Sequence, residues 1–328
     1  MPFVVAHSVE EWRARFGAGE SAPRTVLTIG NFDGVHRGHQ EILAGVRQHA
    51  RREDSVATVV TFDPHPLRVL RPESAPATLM PLDERLRMFG EMGLDAALVL
   101  PFDHVFSLLS PQEFVQRILV DTLRAKTVLL GDNFRFGHRH AGDVRLLSEM
   151  GRSLGFEVIT LPPVEFRGEI ISSTAVRTAL REANVSRAGR MLGRPFTLHG
   201  EIQRGAGIGA KQVVPTLNLA TTAEILPKNG VYVTETRAGT WWYRSVTNVG
   251  VRPTFDAGCV SVENFLFDFY AALTEGPMAV RFWTRLRDER KFANPEELRA
   301  QIRFDASCAQ QFFRLLAARH RRVSSLPA

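Results

Sequence analysis

Between Thr25 and Ala183 short apolar runs alternate with stretches of helical period, and that alternation leaves the first half of the chain few possible architectures. TVLTIG (25–30), SVATVVTF (55–62), AALVLPF (96–102), TVLLG (127–131) and FEVITLP (156–162) read as strands. GHQEILAGVRQHARRE (38–53) reads as a helix with Ile42, Leu43 and Val46 on one side. PLDERLRMFGEMG (81–93), SPQEFVQRILVDTL (110–123) and DVRLLSEMGRSLG (143–155) are further helices. SVEEWRARF (8–16) precedes the series and SSTAVRTALREA (172–183) closes it. Ser8 is a candidate N-cap with Glu11 completing a capping box, and Ser110, Pro111 and Glu113 fit N-cap, N1 and N3. Strands alternating with helices imply a parallel sheet covered on both faces. Ligands of such sheets sit beyond the carboxyl ends of the strands. GNFDGVHRGH (30–39), FDPHP (62–66) and GDNFRFG (131–137) all follow predicted strands, so they converge on one edge.

Near residue 186 the pattern changes, which divides the chain into 1–186 and 187–328. FTLHGEIQRG, VYVTET, WWYRSVTNVG, VENFLFDF and MAVRFWTRLR are closely spaced strands split by Gly, Pro and Asn, the signature of a small antiparallel barrel. A last helix starts at Asn294 (N-cap), Pro295 and Glu297, with Leu298, Ile302, Ala306 and Ala309 as its apolar stripe. The expected fold class is therefore α/β followed by all-β with a C-terminal helix.

No apolar run approaches the length of a membrane span, and no basic leader with an apolar stretch opens the chain. Cys259 and Cys308 make no disulfide framework and have no metal-ligand spacing, which points to the cytoplasm. The net charge of +6 suits phosphorylated small molecules as well as nucleic acid. The basic residues are scattered apart from RHRR near the C-terminus, so neither a nucleic-acid nor a membrane partner is expected. Oligomeric state is not readable.

In GNFDGVHRGH, Gly30 and Gly34 let the chain turn after the strand, and Gly38 lets a ligand approach the main chain. A helix starting there offers free N–H groups to an anion. His36 and His39 would flank that anion and suit the charge that develops on a phosphoryl group in in-line displacement. Equally, they could be ordinary histidines at a helix start. Asn133 in GDNFRFG, Asp63 and His65 in FDPHP, and Ser173, Thr174 and Arg177 in ISSTAVR each read as turn or cap residues singly. Together on one edge they look like a nucleotide site.

These motifs resemble the adenylyltransferase module of prokaryotic bifunctional riboflavin kinase/FMN adenylyltransferases (FAD synthetases). The resemblance implies the Rossmann-like H-x-G-H nucleotidyltransferase fold and the reaction FMN + ATP → FAD + pyrophosphate. It implies that His36 and His39 steady the α-phosphate and the leaving pyrophosphate. Gly30, Asn31, Phe32, Asp33, Gly34 and Gly38 would line the nucleotide, and Asn133 would contact it. Ser173, Thr174 and Arg177 would hold the β- and γ-phosphates, with Asp63 near these phosphates or Mg²⁺.

The second half resembles the riboflavin kinase module through VPTLNLA (214–220), PKNGVYVTE (227–235), TNVGVRPTF (247–255), SVENFLFDF (261–269) and LRDERKF (286–292). RGAGIGAK (204–211) could cradle phosphates but lacks the G-K-[ST] ending of a P-loop. Thr216 and Asn218 are oxygen donors suited to Mg²⁺ and ATP phosphates, or furniture of a turn around Pro215. Asn248 and Arg287 are further ligand candidates, each with a reading as turn or solvated surface. Strand alternation puts Glu263, Phe265, Phe267 and Phe269 on one face and Val262, Asn264, Leu266 and Asp268 on the other. The aromatic side suits a general base, and the resemblance places the kinase base at Glu263. The bland alternative pairs Glu263 with an arginine such as Arg252.

Three departures stand out. QVV (212–214) replaces Leu-Gly-Phe, YAALTEGPM (270–278) replaces an Asp-Gly-x-x-Tyr-Gly segment, and Ala175 sits where a basic residue is common. The implied small molecules are riboflavin, FMN, FAD and ATP. A transferase for pantetheine phosphate or nicotinate mononucleotide would need no such barrel. A non-catalytic flavin or nucleotide sensor could dispense with His36, His39 and Glu263.

Overall fold

The computed structural model describes residues 2–203, 216–251, 260–269 and 273–324. RGAGIGAK, QVV, Pro215, RPTF with Arg252, Cys259 and the start of YAALTEGPM lie outside the described residues. The chain forms two compact units, Met1–Ser173 and Thr174–Ala328.

The first unit is built on six strands: β1 (Val4–Ala6), β2 (Thr25–Ile29), β3 (Val56–Asp63), β4 (Ala96–Pro101), β5 (Ala125–Gly131) and β6 (Glu157–Leu161). Their order is β1-β4-β3-β2-β5-β6 and all neighbours are parallel, as the alternation predicts. β1 went unread in the sequence because three residues carry no period. It is held by its register, Val4 opposite Ala96 through Ala6 opposite Leu98. The strand order reverses between β2 and β5. Loops leaving such neighbours diverge to opposite sides and open a crevice at the carboxyl edge.

Four helices matter for the site: α1 (Val9–Phe16), α2 (Arg37–Glu53), α3 (Leu82–Glu91) and α4 (Val144–Leu154). One sheet face sends Leu27, Ile29, Val60, Leu98 and Leu130 against Trp12, Phe114 and Leu147. The other sends Val26, Val59, Ala97 and Leu129 against Leu43, Val46 and Phe89 of α2 and α3. Buried on both faces, the central strands read as nearly continuous apolar runs, with buried threonines as their polar members.

Two details differ from the sequence reading. Glu11 accepts from His7 N at 2.7 Å rather than from the Ser8 N–H, although Ser8 does cap α1. The stretch 110–123 is not one α-helix. Pro111–Phe114 is α, closed by the expected Ser110–Glu113 capping box, and Val115–Val120 winds as a π-helix. Asp121 N and Leu123 N bond five residues back, and the Thr122 hydroxyl donates to Arg117 O at 2.7 Å, feeding the wider turn.

The second unit opens with α5 (Ser173–Arg181) and α6 (Val185–Leu192). α6 follows the helix that the sequence pattern places last in the series. Its Val185, Ala188 and Met191 are fully buried, and Ser186 donates to Trp283 O at 2.8 Å. Then come β7 (Phe196–Gln203), β8 (Leu217–Ala220), β9 (Gly230–Ala238), β10 (Trp241–Val251), β11 (Val260–Leu266), β12 (Pro277–Arg287) and α7 (Pro295–Ser324). The strands close an antiparallel barrel in the order β7-β8-β11-β10-β9-β12.

Part of the barrel interior is polar. Thr234, Thr236, Ser245, Thr247 and Asn264 are all fully buried. Thr234 bonds Ser245 at 2.8 Å and Thr247 at 2.6 Å, Ser245 bonds Thr236 at 2.8 Å, and Thr247 donates to Asn264 Oδ1 at 2.6 Å. The outer face carries Val231, Val233, Val246 and Phe267 against Ala309 and Phe313 of α7. Asn294 caps α7 through Glu297 N at 2.9 Å, as expected. The stripe itself needs correcting: Asp305, 3% exposed, sits in its middle.

Candidate active sites

The first site grows from the turn after β2. Gly30 N donates to Val60 O at 3.0 Å, so the sheet ladder reaches the turn. Phe32, Gly34 and Val35 then take left-handed backbone, with φ of 50°, 79° and 41°. For β-branched Val35 this is strained and has to be held by surrounding contacts. Asp33 supplies one: its carboxylate accepts from Leu79 N at 3.0 Å and Met80 N at 3.2 Å. Asp33 O accepts from the Ser173 hydroxyl at 2.8 Å. Asp33 is thus a buried clip, and Phe32 packs on Phe89 and His39 in the core.

His36 ends the turn as the N-cap of α2, its Nδ1 accepting from His39 N at 3.3 Å. With Nδ1 so used, the neutral ring carries its proton on Nε2, a donor. The His36 and His39 rings stack with centroids 3.5 Å apart and 19° between planes. Gly38 allows this: a Cβ there would meet His36 Cε1 at 3.2 Å and Nδ1 at 3.3 Å. Burial first, then His36 and then Arg85, holds the His39 imidazole well below the usual histidine range. The pair is therefore not two imidazolium ions. It offers ring N–H donors beside the free N–H groups of a helix start.

Around it, the Asn31 amide lies 3.0 Å from His65 Nε2, and His65 Nδ1 accepts from Leu67 N at 3.1 Å. Asp63 ends β3, exposed at the carboxyl edge. Asn133 is exposed past β5, its Oδ1 close over Gly131. The edge thus gathers Asn31, His36, His39, Asp63, His65 and Asn133 in the first unit. Thr174 and Arg177 belong to the second unit by contacts, with Arg177 buried and Thr174 exposed on α5.

Two features of this edge escaped the sequence reading. Arg85 of α3 is 7% exposed and donates through Nη1 to Asn31 O. A chain of phenylalanines, Phe62, Phe102, Phe106, Phe114, Phe136 and Phe134, runs along the edge with successive ring centroids 5.6–6.2 Å apart. Phe102, Phe134 and Phe136 recur just past strands, which was the available signal.

The second site is a row across the barrel. Antiparallel register sets Gln203 opposite Asn218, Asn218 opposite Glu263, Glu263 opposite Asn248, Asn248 opposite Val231 and Val231 opposite Arg287. Residues directly opposite point to the same side and lie about 5 Å apart. Asn264 points inward, so the row points outward. Glu263 is half-buried, and its carboxylate has no partner among the described residues. Its flanks are the amides of Asn218 and Asn248 rather than aromatic rings. Asn218 is 4% exposed and Thr216 is exposed.

Asn248 donates to Glu289 Oε1 at 3.1 Å, and Gly250 makes room, since a Cβ there would fall 1.8 Å from that oxygen. Arg287 is committed to α7: its Nη2 reaches Asp305 Oδ2 at 2.8 Å and its Nε lies 3.1 Å from the same oxygen. Gln301 donates to Asp305 Oδ1 at 2.7 Å. The alternation argument fails at its end. β11 stops at Leu266, and Asp268 is exposed in a turn with φ 55°.

The FAD synthetase family model matches residues 19–175 and the riboflavin kinase family model matches 192–313. The bifunctional riboflavin kinase/FMN adenylyltransferase of Escherichia coli (strain K12) is 38% identical over 88% of this chain and 93% of that protein. The protein of the same name from Pseudomonas fluorescens is 39% identical over 87% and 92%. A crystal structure described as a macrolide-efflux protein from Streptococcus pneumoniae superposes with a TM-score of 0.83 at 28% identity, covering 94% of this chain and 99% of that one. Efflux is said of that protein; among the described residues here, no helix is long and apolar enough to cross a membrane. With both halves matched in order and relatives alike along nearly their full length, the chain belongs to the bifunctional riboflavin kinase/FMN adenylyltransferase family.

Proposed function

We propose that this enzyme makes FAD from riboflavin in two ATP-dependent steps, one in each unit. In the barrel the riboflavin 5′-hydroxyl attacks the γ-phosphorus of ATP, giving FMN and ADP, and Glu263 takes the hydroxyl proton. At the sheet edge an FMN phosphate oxygen attacks the α-phosphorus of ATP, and the bond to the bridging oxygen of pyrophosphate breaks. His36 and His39 donate to the α-phosphate and the departing oxygen as charge develops there. One observation carries the reading: a helix capped by His36, whose imidazole stacks on that of His39, starts at the point where the strand order reverses. The half-buried rings of the phenylalanine chain, Phe62, Phe102 and Phe106, bordered by exposed Val105 and Leu108, supply apolar contact for the flavin ring beside that anion site. Incubation with riboflavin, ATP and Mg²⁺, followed by chromatography, should show FMN and then FAD.

Thr216 and Asn218 offer a hydroxyl and an amide oxygen, hard donors of the kind Mg²⁺ accepts alongside substrate phosphates. The ion would screen charge between the reacting anions. Excess EDTA should stop both reactions and excess Mg²⁺ restore them. FAD synthesis continuing at near-normal rate in EDTA would contradict this. A supply of ATP and a free thiol at Cys308 suit the cytoplasm.

The activities divide near residue 186. A 187–328 fragment should phosphorylate riboflavin and make no FAD. It lacks buried Val185 and the Ser186–Trp283 bond, worth together about 2–4 kcal/mol. A 174–328 fragment should therefore melt several degrees higher with the same activity. FAD formation by either fragment would refute the division.

A further inference from the structure

Four buried polar atoms have no hydrogen-bond partner among the described residues at the face of the sheet under α2 and α3: Thr28 Oγ1, Thr61 Oγ1, His39 Nδ1 and Arg85 Nε. Thr28 shares its strand face with Val26, and Thr61 with Val59, both in the core packed against α2 and α3. Native interiors leave few such atoms, so a group of them marks something other than packing. Arg85 stands out among the four. A guanidinium is almost never buried unless it is paired. Here Nη1 donates to the Asn31 carbonyl, at the mouth of the turn that carries strained Phe32 and Val35 and ends at His36. The charged and titratable groups around it are Asp33 on that turn, Asp63 at the end of β3, and His36 and His39 at the start of α2, with His65 beside Asn31.

We infer that Arg85 is a positioning residue for adenylyl transfer: it fixes the Asn31–His36 turn through the Asn31 carbonyl and adds a permanent cation to the burial and ring stacking that already bear on His39. The inference rests on the reading of His36 and His39 as the adenylyl-transfer groups. Two rings stacked at 3.5 Å repel if both are charged, and a guanidinium that keeps its proton adds to that penalty. The division of labour follows. Arg85 supplies fixed positive charge at every working pH, and His39 supplies a hydrogen bond whose donor does not switch with pH. Because the folded state holds His39 below its ordinary value, FMN adenylylation should stay level as pH falls through the usual histidine range near 6.5 and decline only below it. Without the cation, that decline should begin at higher pH.

The test uses the full-length chain with Arg85→Met, Arg85→Gln, Arg85→Lys and His39→Asn. Adenylylation is measured across about pH 5–8, and each histidine is followed through its ring resonances by NMR. Riboflavin phosphorylation by the same samples reports that the chain is folded. Arg85→Met and Arg85→Gln should lower kcat for FMN adenylylation at least about tenfold with little change in KM for ATP. They should also raise both the acid limb and the His39 midpoint. Arg85→Lys should restore the limb and most of the rate. A rate loss with the limb and the midpoint unmoved in both neutral variants would reduce Arg85 to a packing role and overturn the inference. So would a His39 midpoint at or above about 6.5 in the unmutated chain, which needs no variant to fold. If His39→Asn left adenylylation intact, the reading of the histidines would fail instead.

Discussion

FMN adenylylation should fall by about two orders of magnitude or more in His36→Ala and in His39→Ala, while riboflavin phosphorylation persists in both. The magnitude is that of removing one preorganised donor from a site where charge develops. The risk is that His36 also caps α2, so its loss to alanine costs about 1 kcal/mol of helix stability besides the chemistry. His36→Asn separates the two effects, because asparagine caps as well but carries no imidazole. It should keep the melting temperature of the parent and lose the adenylylation. Comparing initial rates of FAD formation from FMN with rates of FMN formation from riboflavin, in each folded variant, checks the result. If both activities fell together, the assignment of one site to each unit would be wrong.

Glu263→Gln should lower riboflavin phosphorylation roughly a hundredfold or more, and Asp268→Asn should cost far less. The two residues do not sit on opposite faces of one long strand. Glu263 lies in the outward row between Asn218 and Asn248, inside the ladder. Asp268 lies beyond the end of β11, in an exposed left-handed turn. Glutamine keeps the size and loses the ability to take a proton, so packing in the row is preserved. FMN adenylylation should survive both changes. Initial FMN formation by each purified variant decides the matter. A crippling Asp268→Asn with a mild Glu263→Gln would mean that the base sits in the turn.

The sequence made the architecture legible where signals are local and repeated. Buried strands bounded by caps gave the parallel sheet, and turn residues between short strands gave the barrel. The convergence of GNFDGVHRGH and GDNFRFG followed from the edge rule alone. What was hidden depends on partners far away in the chain. Arg85 reads as one more charge on an amphipathic helix until its guanidinium is seen on Asn31. Asp305 breaks the stripe of α7 on paper, yet Arg287, eighteen positions earlier, makes it a buried member of that stripe. Asp33 reads only as part of a glycine-rich turn, because nothing near it in the chain announces the Leu79 and Met80 amides as the donors to its carboxylate. Alternation misassigned Asp268 because a left-handed residue ended the period two positions after Leu266.

The hydroxyls inside the barrel have an order of their own. Asn264 Nδ2 donates to Leu217 O and Val262 O, so Oδ1 is the end turned to the threonines, and it can only accept. Thr247 must then give its single proton to Asn264. It receives one from Thr234, which receives from Ser245, which receives from Thr236, whose hydroxyl is shared with Asn264 Oδ1 at the longer distance of 3.3 Å. Each hydroxyl has one hydrogen to pass on, so a single amide sets the direction of the entire series. The middle of this relay therefore differs from its head: Thr234 both receives and passes on, whereas Thr236 only passes on. Such an interior is specified by polarity as much as by volume, and a hydrophobic side chain of equal size fits the space at Thr234 while breaking the sequence of donors on both sides of it.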